Sequence, residues 1–247
     1  MDPKQASIAK YFTSKSPTWT VLPIAVGLAL LLGPMWAKVL GLLVLVGAGY
    51  AIYDSTRMIA DHEIDQWTDV NLKRLSRRAL EKIGIDGSEI VGESVIVTGP
   101  RLSNLGPARF GYRKGKDNVL RFTPVNTMII NFTQNQLLVY TCALDLIEGH
   151  AVNEVTDEYF YRDVVSVHTA SETVRVSVAG NRKEWQLNDV ETFKLTTSGG
   201  TSVVMPLRHP SLIQRMGGGE IPTTTAERAI QAIRKMLREK KSAISAT

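Results

Sequence analysis

The chain has 247 residues, a formal net charge of +5 and a single cysteine. One cysteine excludes an intrachain disulfide and fits a reducing compartment. Roughly 85 N-terminal residues belong to a tail, an apolar segment and a helix that are described below. The remaining residues, about 160, are enough for one well-buried domain and too few for a second full domain.

An apolar segment over residues 18–53 follows a short tail, and its only formally charged residue is Lys38. One helix over this segment would run roughly 54 Å, whereas the hydrocarbon core of a bilayer is about 30 Å thick. Gly33 and Pro34 divide the segment, because proline removes a backbone donor and glycine can adopt the left-handed geometry that closes a helix. The sequence therefore predicts a transmembrane helical hairpin with its turn at Gly33 and Pro34.

Small residues in each arm recur at four-residue spacing, which would let the two helices approach closely, although they could equally be ordinary lipid-facing positions. They include Ala25, Ala29 and Gly33 in the first arm, and Ala37 and Gly41 in the second. Lysine and arginine concentrate before and after the segment, which predicts that residues 1–17 and the chain after residue 53 are both cytoplasmic. The alternatives are a secretory signal peptide and a soluble protein with a buried helical hairpin.

Residues 54–85 are predicted to form an amphipathic stalk helix. Apolar residues recur at intervals of three or four, no proline or glycine occurs from Ser55 to Ile83, and Gly84 then ends the helix. The helix could continue directly from the hairpin. It could pair end to end with a neighbouring copy or pack onto its own domain.

Residues 86–247 are predicted to form an antiparallel β domain that ends in an amphipathic helix over residues 225–243. One face of this helix is an apolar stripe, and the opposite face carries Arg228, Gln231, Lys235 and Arg238; the stripe consists of Ala229, Ile230, Ile233, Met236 and Leu237. Short runs rich in valine, isoleucine, threonine and aromatic residues alternate with turn residues. Hairpin turns are expected at Gly180-Asn181 and at Ser198-Gly199-Gly200. The predicted strands are SEIVGESVIVTG, VLRFT, TMIINFT, QLLVYTCALDL, EYFYRDVVSVHTA, TVRVSVA, TFKLTTSG and TSVVMPLR.

The charge of this domain is polarised, with basic residues over 101–121 and acidic residues over 145–163. A basic patch suits lipid head groups or an acidic partner, although charged runs are usually solvated surface. The candidate contacts are Arg109, Arg113, Lys114 and Lys116. Phe110 and Tyr112 beside them could stack on a single-stranded nucleic acid, but a membrane tether disfavours that partner.

No pattern of residues predicts catalysis, a cofactor or a metal. The stretch GYRKGKD lacks the spacing of a phosphate-binding loop and is interpreted as a charged hairpin turn. The four histidines have no metal-ligand spacing. Asp61 and Asp65 share a helix face, which is interpreted as solvated surface rather than a divalent-cation site. Cys142 lies in an apolar run and is expected to be a packed thiol.

Roughly 85 positions resemble a bacterial pleckstrin-homology-like (PH-like) domain. The resemblance rests on TMIINFT, EYFYRDVVSVHTA, TFKLTTSGGTSVVMPLR and ERAIQAIRKMLREKK, and above all on the stretch Tyr161–Val167. It implies a barrel of about seven antiparallel strands capped by a C-terminal helix, often preceded by a two-helix membrane hairpin. It does not imply inositide binding, because residues 133–135 contain no lysine or arginine.

These observations together predict an α+β membrane protein of the bacterial inner membrane that acts as a non-enzymatic adaptor. Its PH-like domain would bind a protein partner through an exposed strand edge or the groove beside its final helix. Tyr159, Phe160 and Tyr161 are candidate aromatic anchors, with core packing of alternate members as the competing interpretation. Self-assembly is expected to contribute. The alternative function is a structural subunit of a membrane-spanning secretion or transport complex.

Overall fold

The computed structural model describes residues 2–13, 21–56, 59–102, 108–177, 184–220 and 224–245. The chain divides into two compact units, Met1–Ile64 and Asp65–Thr247.

The first unit is helical. It contains α1 (Pro3–Thr13), α2 (Val21–Leu30), α3 (Met35–Thr56) and the first turn of α4 (Asp61–Ile83). The predicted N-terminal tail therefore includes a helix that the sequence analysis missed. Tyr11 is buried in it, and its hydroxyl donates a 2.6 Å hydrogen bond to Asp61 Oδ1.

The turn between α2 and α3 includes Gly33 and Pro34. The Gly33 N–H donates to the Leu30 carbonyl at 3.1 Å, and the Pro34 carbonyl accepts the first backbone bonds of α3 from Ala37 and Lys38 at 2.9 and 3.1 Å. Gly33 does not have a positive φ, so its expected left-handed geometry is wrong.

The contact between α2 and α3 is made at Gly27 and Gly41. A Cβ atom added to Gly41 would lie 2.7 Å from the Gly27 carbonyl oxygen, so the two backbones nearly touch. Ala37 is buried as well, whereas Ala25 and Ala29 are exposed. The predicted close approach is therefore present, but in the first helix it uses Gly27 rather than the alanines.

The predicted transmembrane hairpin is wrong, and the inner-membrane location predicted from it is corrected too. Among the described residues, no helix combines the length and the apolar character needed to cross a bilayer. Helix α2 has 10 residues, which span about 15 Å against a core of about 30 Å. Helix α3 has 22 residues and carries Lys38 in its first turn, and its described residues are not apolar enough over a spanning length.

Helix α4 is amphipathic as predicted, with its buried face formed by Asn71, Leu75 and Ala79. It is not continuous with α3, because Ile59 and Ala60 are not helical. It ends where expected: Gly84 has a φ of +78°, and the N–H groups of Gly84 and Ile85 both donate to the Leu80 carbonyl.

Within the second unit, α4 packs on the β domain. The Trp67 indole N–H donates to the Leu146 carbonyl at 2.9 Å, and Arg78 Nε and Nη2 each donate to the Glu154 carboxylate at 2.7 Å. The sequence left open whether this helix pairs with a neighbouring copy or packs onto its own domain, and the structure shows that it packs onto its own domain.

The described residues of the β domain form three antiparallel sheets. A four-stranded sheet has the order β1-β4-β5-β6, a two-stranded sheet pairs β2 with β3, and a three-stranded sheet has the order β7-β8-β9. The strands are β1 (Val95–Pro100), β2 (Gly111–Lys114), β3 (Leu120–Thr123), β4 (Val125–Phe132), β5 (Gln136–Asp145), β6 (His150–Phe160), β7 (Val164–Ser177), β8 (Glu184–Thr197) and β9 (Ser202–Arg208). Two helices follow, α5 (Pro210–Arg215) and α6 (Thr224–Ser245).

Two hydrophobic clusters of described residues help to hold these elements together. The larger unites the four-stranded sheet, the three-stranded sheet and α6, and the α6 side chains in it are Ile230, Ile233 and Leu237. The smaller joins β3, β8 and α5 through residues such as Phe122 and Leu187.

Several strand boundaries differ from the prediction. The run EYFYRDVVSVHTA is not one strand: β6 ends at Phe160, a 3-10 turn covers Tyr161–Asp163, and β7 begins at Val164. Strand β6 begins at His150, in an acidic stretch with no strand pattern. Strand β7 also absorbs TVRVS, which was predicted as the start of a separate strand. The turn predicted at Gly180-Asn181 lies outside the described residues.

Two turns and one helix lie where the sequence predicted them. The turn at Ser198–Gly200 joins β8 to β9, and the stretch GYRKGKD forms β2 and the turn that leads towards β3. Helix α6 begins at Thr224, one residue before the predicted start, and its predicted apolar stripe is buried at Ile230, Ile233 and Leu237.

Candidate functional site

The predicted basic contacts lie on and beside strand β2. Arg109 is exposed just before the strand, and Lys116 is exposed in the turn after it. Arg113 and Lys114 are consecutive in β2 and so point to opposite faces; Arg113 is half-buried, and Lys114 Nζ donates to the Gly217 carbonyl at 3.1 Å. The four residues are close in sequence but do not present a single uniform face.

The predicted aromatic anchors are divided between core and surface. Tyr159 and Tyr161 belong to the larger hydrophobic cluster, where burial raises the pKa of each phenol to about 12. The Tyr161 hydroxyl donates to the Thr133 carbonyl at 2.9 Å. Phe160 is 46% exposed, and the Arg162 guanidinium lies 5.4 Å from its ring centroid. Partner contact therefore stays a prediction for Phe160, whereas the two tyrosines pack the core.

A groove runs between the start of β7 and helix α6, and we call it the β7–α6 groove. Its volume is about 370 Å³. It is lined by Val164, Val165, Ser166, Val167, Arg234, Leu237 and Arg238.

Strand β7 forms one wall of this groove. It is the terminal strand of its sheet: among the described residues, β8 is its one neighbouring strand. The register shifts between Val164 and Ser166, which is a β-bulge that reorients the strand. Val164 points into the core, and Val165 is 58% exposed. Residues 165–167 thus lie on the terminal strand of the sheet and include an exposed apolar side chain, that of Val165.

Helix α6 forms the other wall, and it has one apolar and one charged face. Ile233 and Leu237 are buried in the larger cluster, while Arg234 and Arg238, four residues apart, lie side by side along the groove. Neither guanidinium is in a salt bridge with any described residue. The groove therefore has an apolar floor and one positively charged wall.

Sequence analysis anticipated a groove beside the final helix but not the residues that line it. The amphipathic pattern of α6 placed Arg238 opposite the apolar stripe. Arg234 carried the same signal, four residues earlier, and was missed. The position of Val165 could not be inferred, because it depends on where β7 begins and on the bulge.

The remaining reactive groups of the described residues were predicted to include neither a metal site nor a reactive thiol. Among the described residues, no three histidine, cysteine, aspartate or glutamate side chains lie close enough to hold a metal ion. Cys142 is 1% exposed in β5, and burial raises the pKa of its thiol to about 11. The predicted packed thiol is confirmed, and it stays protonated at neutral pH.

The β7–α6 groove is the arrangement most suited to binding. An extended segment could add to an open strand edge through main-chain hydrogen bonds, while side chains occupy the apolar floor. Arginines beside the groove favour carboxylates on that segment. Comparisons of the chain with models of protein families, with curated proteins and with solved structures found no match.

Proposed function

We propose that this protein is a non-enzymatic adaptor that binds an extended, acidic segment of a partner protein in the β7–α6 groove. The observation that carries the proposal is the groove itself, which is lined by the start of β7, the terminal strand of its sheet, and by two arginines of α6. Main-chain bonds along the strand edge supply affinity, and the apolar floor and the arginines supply specificity.

The resemblance to PH-like domains supports this proposal. The observations that support it are the antiparallel strands and the amphipathic helix that follows them. The exposed ring of Phe160, which ends β6, provides a further aromatic contact for a partner near this end of the domain.

Site-specific photocrosslinking in intact cells tests the proposal. The photoreactive residue p-benzoylphenylalanine replaces Val165 in the groove, and in the matched control it replaces Val204, a valine of β9 that is 51% exposed. We expect one discrete protein adduct from position 165 and none of the same mass from position 204. Identical adducts from both positions would contradict the proposal.

Charge reversal then tests the role of the arginines. Arg234→Glu combined with Arg238→Glu should reduce the yield of the position-165 adduct at least tenfold, because the partner's carboxylates would be repelled. The matched control reverses Lys73 and Arg77, an exposed pair at the same four-residue spacing on α4. An adduct that survives the first change, or disappears with the second, would show that the groove is not the binding site.

We also propose a second candidate function, a structural subunit of a larger protein complex, because α2, α3 and the turn between them expose many large apolar side chains. Leu32 is 91% exposed, Met35 80% and Trp36 68%. Exposed apolar surface of this kind marks protein contacts. Sedimentation of the protein from cells at its native level distinguishes the two functions: a fixed stoichiometric complex favours the subunit, and a small species with a salt-sensitive partner favours the adaptor.

A further inference from the structure

A second cavity lies between α4 and the β2–β3 hairpin, and it shares no lining residue with the β7–α6 groove of the proposed adaptor function. Its volume is about 400 Å³, within the range of small-molecule sites. Its lining is mainly apolar, with Leu72 of α4, Leu120 and Phe122 of β3, and Leu146 after β5. We call it the α4–β3 cavity.

One buried arginine closes the polar end of this cavity. The Arg121 side chain is 6% exposed, and its Nε and Nη2 donate to both oxygens of Asp65 at 2.7 Å. Its Nη1 and Nη2 donate to Asp117 at 3.0 and 2.6 Å, and Nη1 also approaches the Val119 carbonyl at 3.4 Å.

These bonds occupy all five donors of the guanidinium. An anionic ligand would have to displace a carboxylate to reach Arg121, and an incoming anion would be repelled by the carboxylates that remain. The cavity is thus poorly suited to phosphates or carboxylates despite its buried arginine.

The carboxylates outnumber the guanidinium at this end of the cavity. Asp65, Asp69 and Asp117 line it against Arg121, which leaves a formal charge of −2. Hydrogen bonds from Arg121 and from the Val119 N–H lower the pKa of Asp117 to about 2, so this carboxylate stays ionised at neutral pH. Within the residues that the structure describes, no cation pairs with Asp69.

The spacing of α4 explains why negative charge adjoins the apolar lining. Asp65, Asp69 and Leu72 are separated by four and three residues, so they share one face of the helix. That face lines the cavity, with Asp69 between the ion pair at Asp65 and the apolar wall at Leu72.

We propose that the α4–β3 cavity binds a small organic cation, with an apolar ring or branched body against Leu72, Leu120 and Phe122 and an ammonium group at Asp69. Charge complementarity selects the cation, and the volume limits the body to about the size of one or two fused rings. The saturated Arg121 serves to hold Asp65 and Asp117 in place rather than to contact the ligand.

A matched pair of probes on the full-length protein tests this proposal. The probes are 1-naphthylmethylammonium and 1-naphthoate, which share a ring system and differ in the sign of their charge. Saturation-transfer difference NMR at equal concentrations should give a strong signal for the cation and at least a tenfold weaker signal for the anion. An equal or stronger signal for naphthoate, or no signal for either probe, would overturn the proposal.

Variants then locate the binding. Asp69→Asn should weaken binding of the cation about tenfold, and because Asp69 is exposed, thermal unfolding should not change. Glu172→Gln, which removes one exposed negative charge on β7 away from the cavity, should leave binding unchanged. Leu72→Trp should fill the cavity and remove the signal. Equal losses in Asp69→Asn and Glu172→Gln, or full binding in Leu72→Trp, would count against the site.

Discussion

His209 is a buried histidine without hydrogen bonds. It is 4% exposed, and neither ring nitrogen has a partner among the described residues. Burial alone lowers its pKa from 6.5 to about 4, because the imidazolium would lose its hydration. The folded protein therefore keeps this ring neutral at pH values where an unfolded chain would protonate it.

This difference predicts that acid destabilises the protein through His209. Between pH 6.5 and 4 the unfolded chain binds more protons than the folded one, so the free energy of unfolding falls as the pH falls, by about 3 kcal/mol in full. Above pH 6.5 this contribution is constant. Urea unfolding at pH 4.5, 5.5 and 7 should show the loss in the wild type and a flatter profile in His209→Leu. Parallel profiles for the two proteins would refute the assignment.

A buried tyrosine contributes through its hydroxyl at the contact between α4 and the sheet. Tyr140 is fully buried in β5, and its hydroxyl donates a 2.7 Å hydrogen bond to Glu154, which also accepts from Arg78. These bonds lower the pKa of Glu154 to about 2, with the Arg78 bond as the largest cause, so the acceptor is ionised.

Tyr140→Phe should therefore lower the free energy of unfolding by about 2 kcal/mol, the loss expected for a hydrogen bond to a charged acceptor. Tyr112→Phe provides the control, since Tyr112 is 41% exposed in β2 and should change stability by less than about 0.5 kcal/mol. Chemical denaturation at pH 7 measures both values. Equal effects from the two variants would mean that the Glu154 bond contributes nothing measurable.

At the scale of elements, the packing of α2 on α3 depends on a glycine. A Cβ atom at Gly41 would lie 2.7 Å from the Gly27 carbonyl, whereas one at Gly47 in the same helix would meet nothing within 4 Å. Gly47 is therefore a matched control for Gly41: both glycines lie in α3, but only Gly41 is in close contact with α2.

Gly41→Ala should lower the free energy of unfolding by about 1–3 kcal/mol, because the two backbones must separate to admit the methyl group. Gly47→Ala should instead raise it by about 0.5–1 kcal/mol through its better helix propensity. Thermal unfolding followed by circular dichroism compares the pair. Stabilisation by both alanines would show that the close contact is absent in solution.

At the scale of the whole molecule, the exposed apolar residues of α2 and α3 predict self-association. Replacing Leu32 and Leu43, which are 91% and 65% exposed, with glutamine should weaken association at least tenfold. The control replaces Val155 and Val204, each 51% exposed on strands, with glutamine. Sedimentation velocity over about 1 to 100 μM follows the change in mass. A concentration-independent wild type, or equal weakening in the control, would contradict the prediction.

Patterns set by neighbouring residues were predicted well. The amphipathic spacing of α4 and α6, the glycine that ends α4 and the turn at Ser198–Gly200 each follow from local chemistry. Predictions that depended on distant contacts were less accurate. Strand β6 begins in an acidic stretch because it pairs with β5, and the break at Tyr161–Asp163 interrupts a run with high strand propensity.

The candidate sites show the same division. The sequence could place Arg238 on a polar helix face and Asp65 on α4, but it could not bring Arg234 and Arg238 against Val165, or Arg121 between Asp65 and Asp117. Arg121 lies 56 positions from Asp65, and the two α6 arginines lie more than sixty positions from Val165. No periodic pattern specifies such distances. The hairpin prediction was wrong because each arm was expected to form a helix close to the minimum spanning length, whereas α2 has only 10 residues.

By itself, the sequence determined the α+β class, the antiparallel strands, the amphipathic helices and the single packed thiol, since periodicity, turn residues and apolar runs act over a few neighbouring positions. Only the tertiary structure decided the strand order, the bulge that exposes Val165, the burial of Tyr159 and Tyr161 and the saturation of Arg121. These features depend on which distant surfaces pack together, and that choice is made by the combined burial of the whole core.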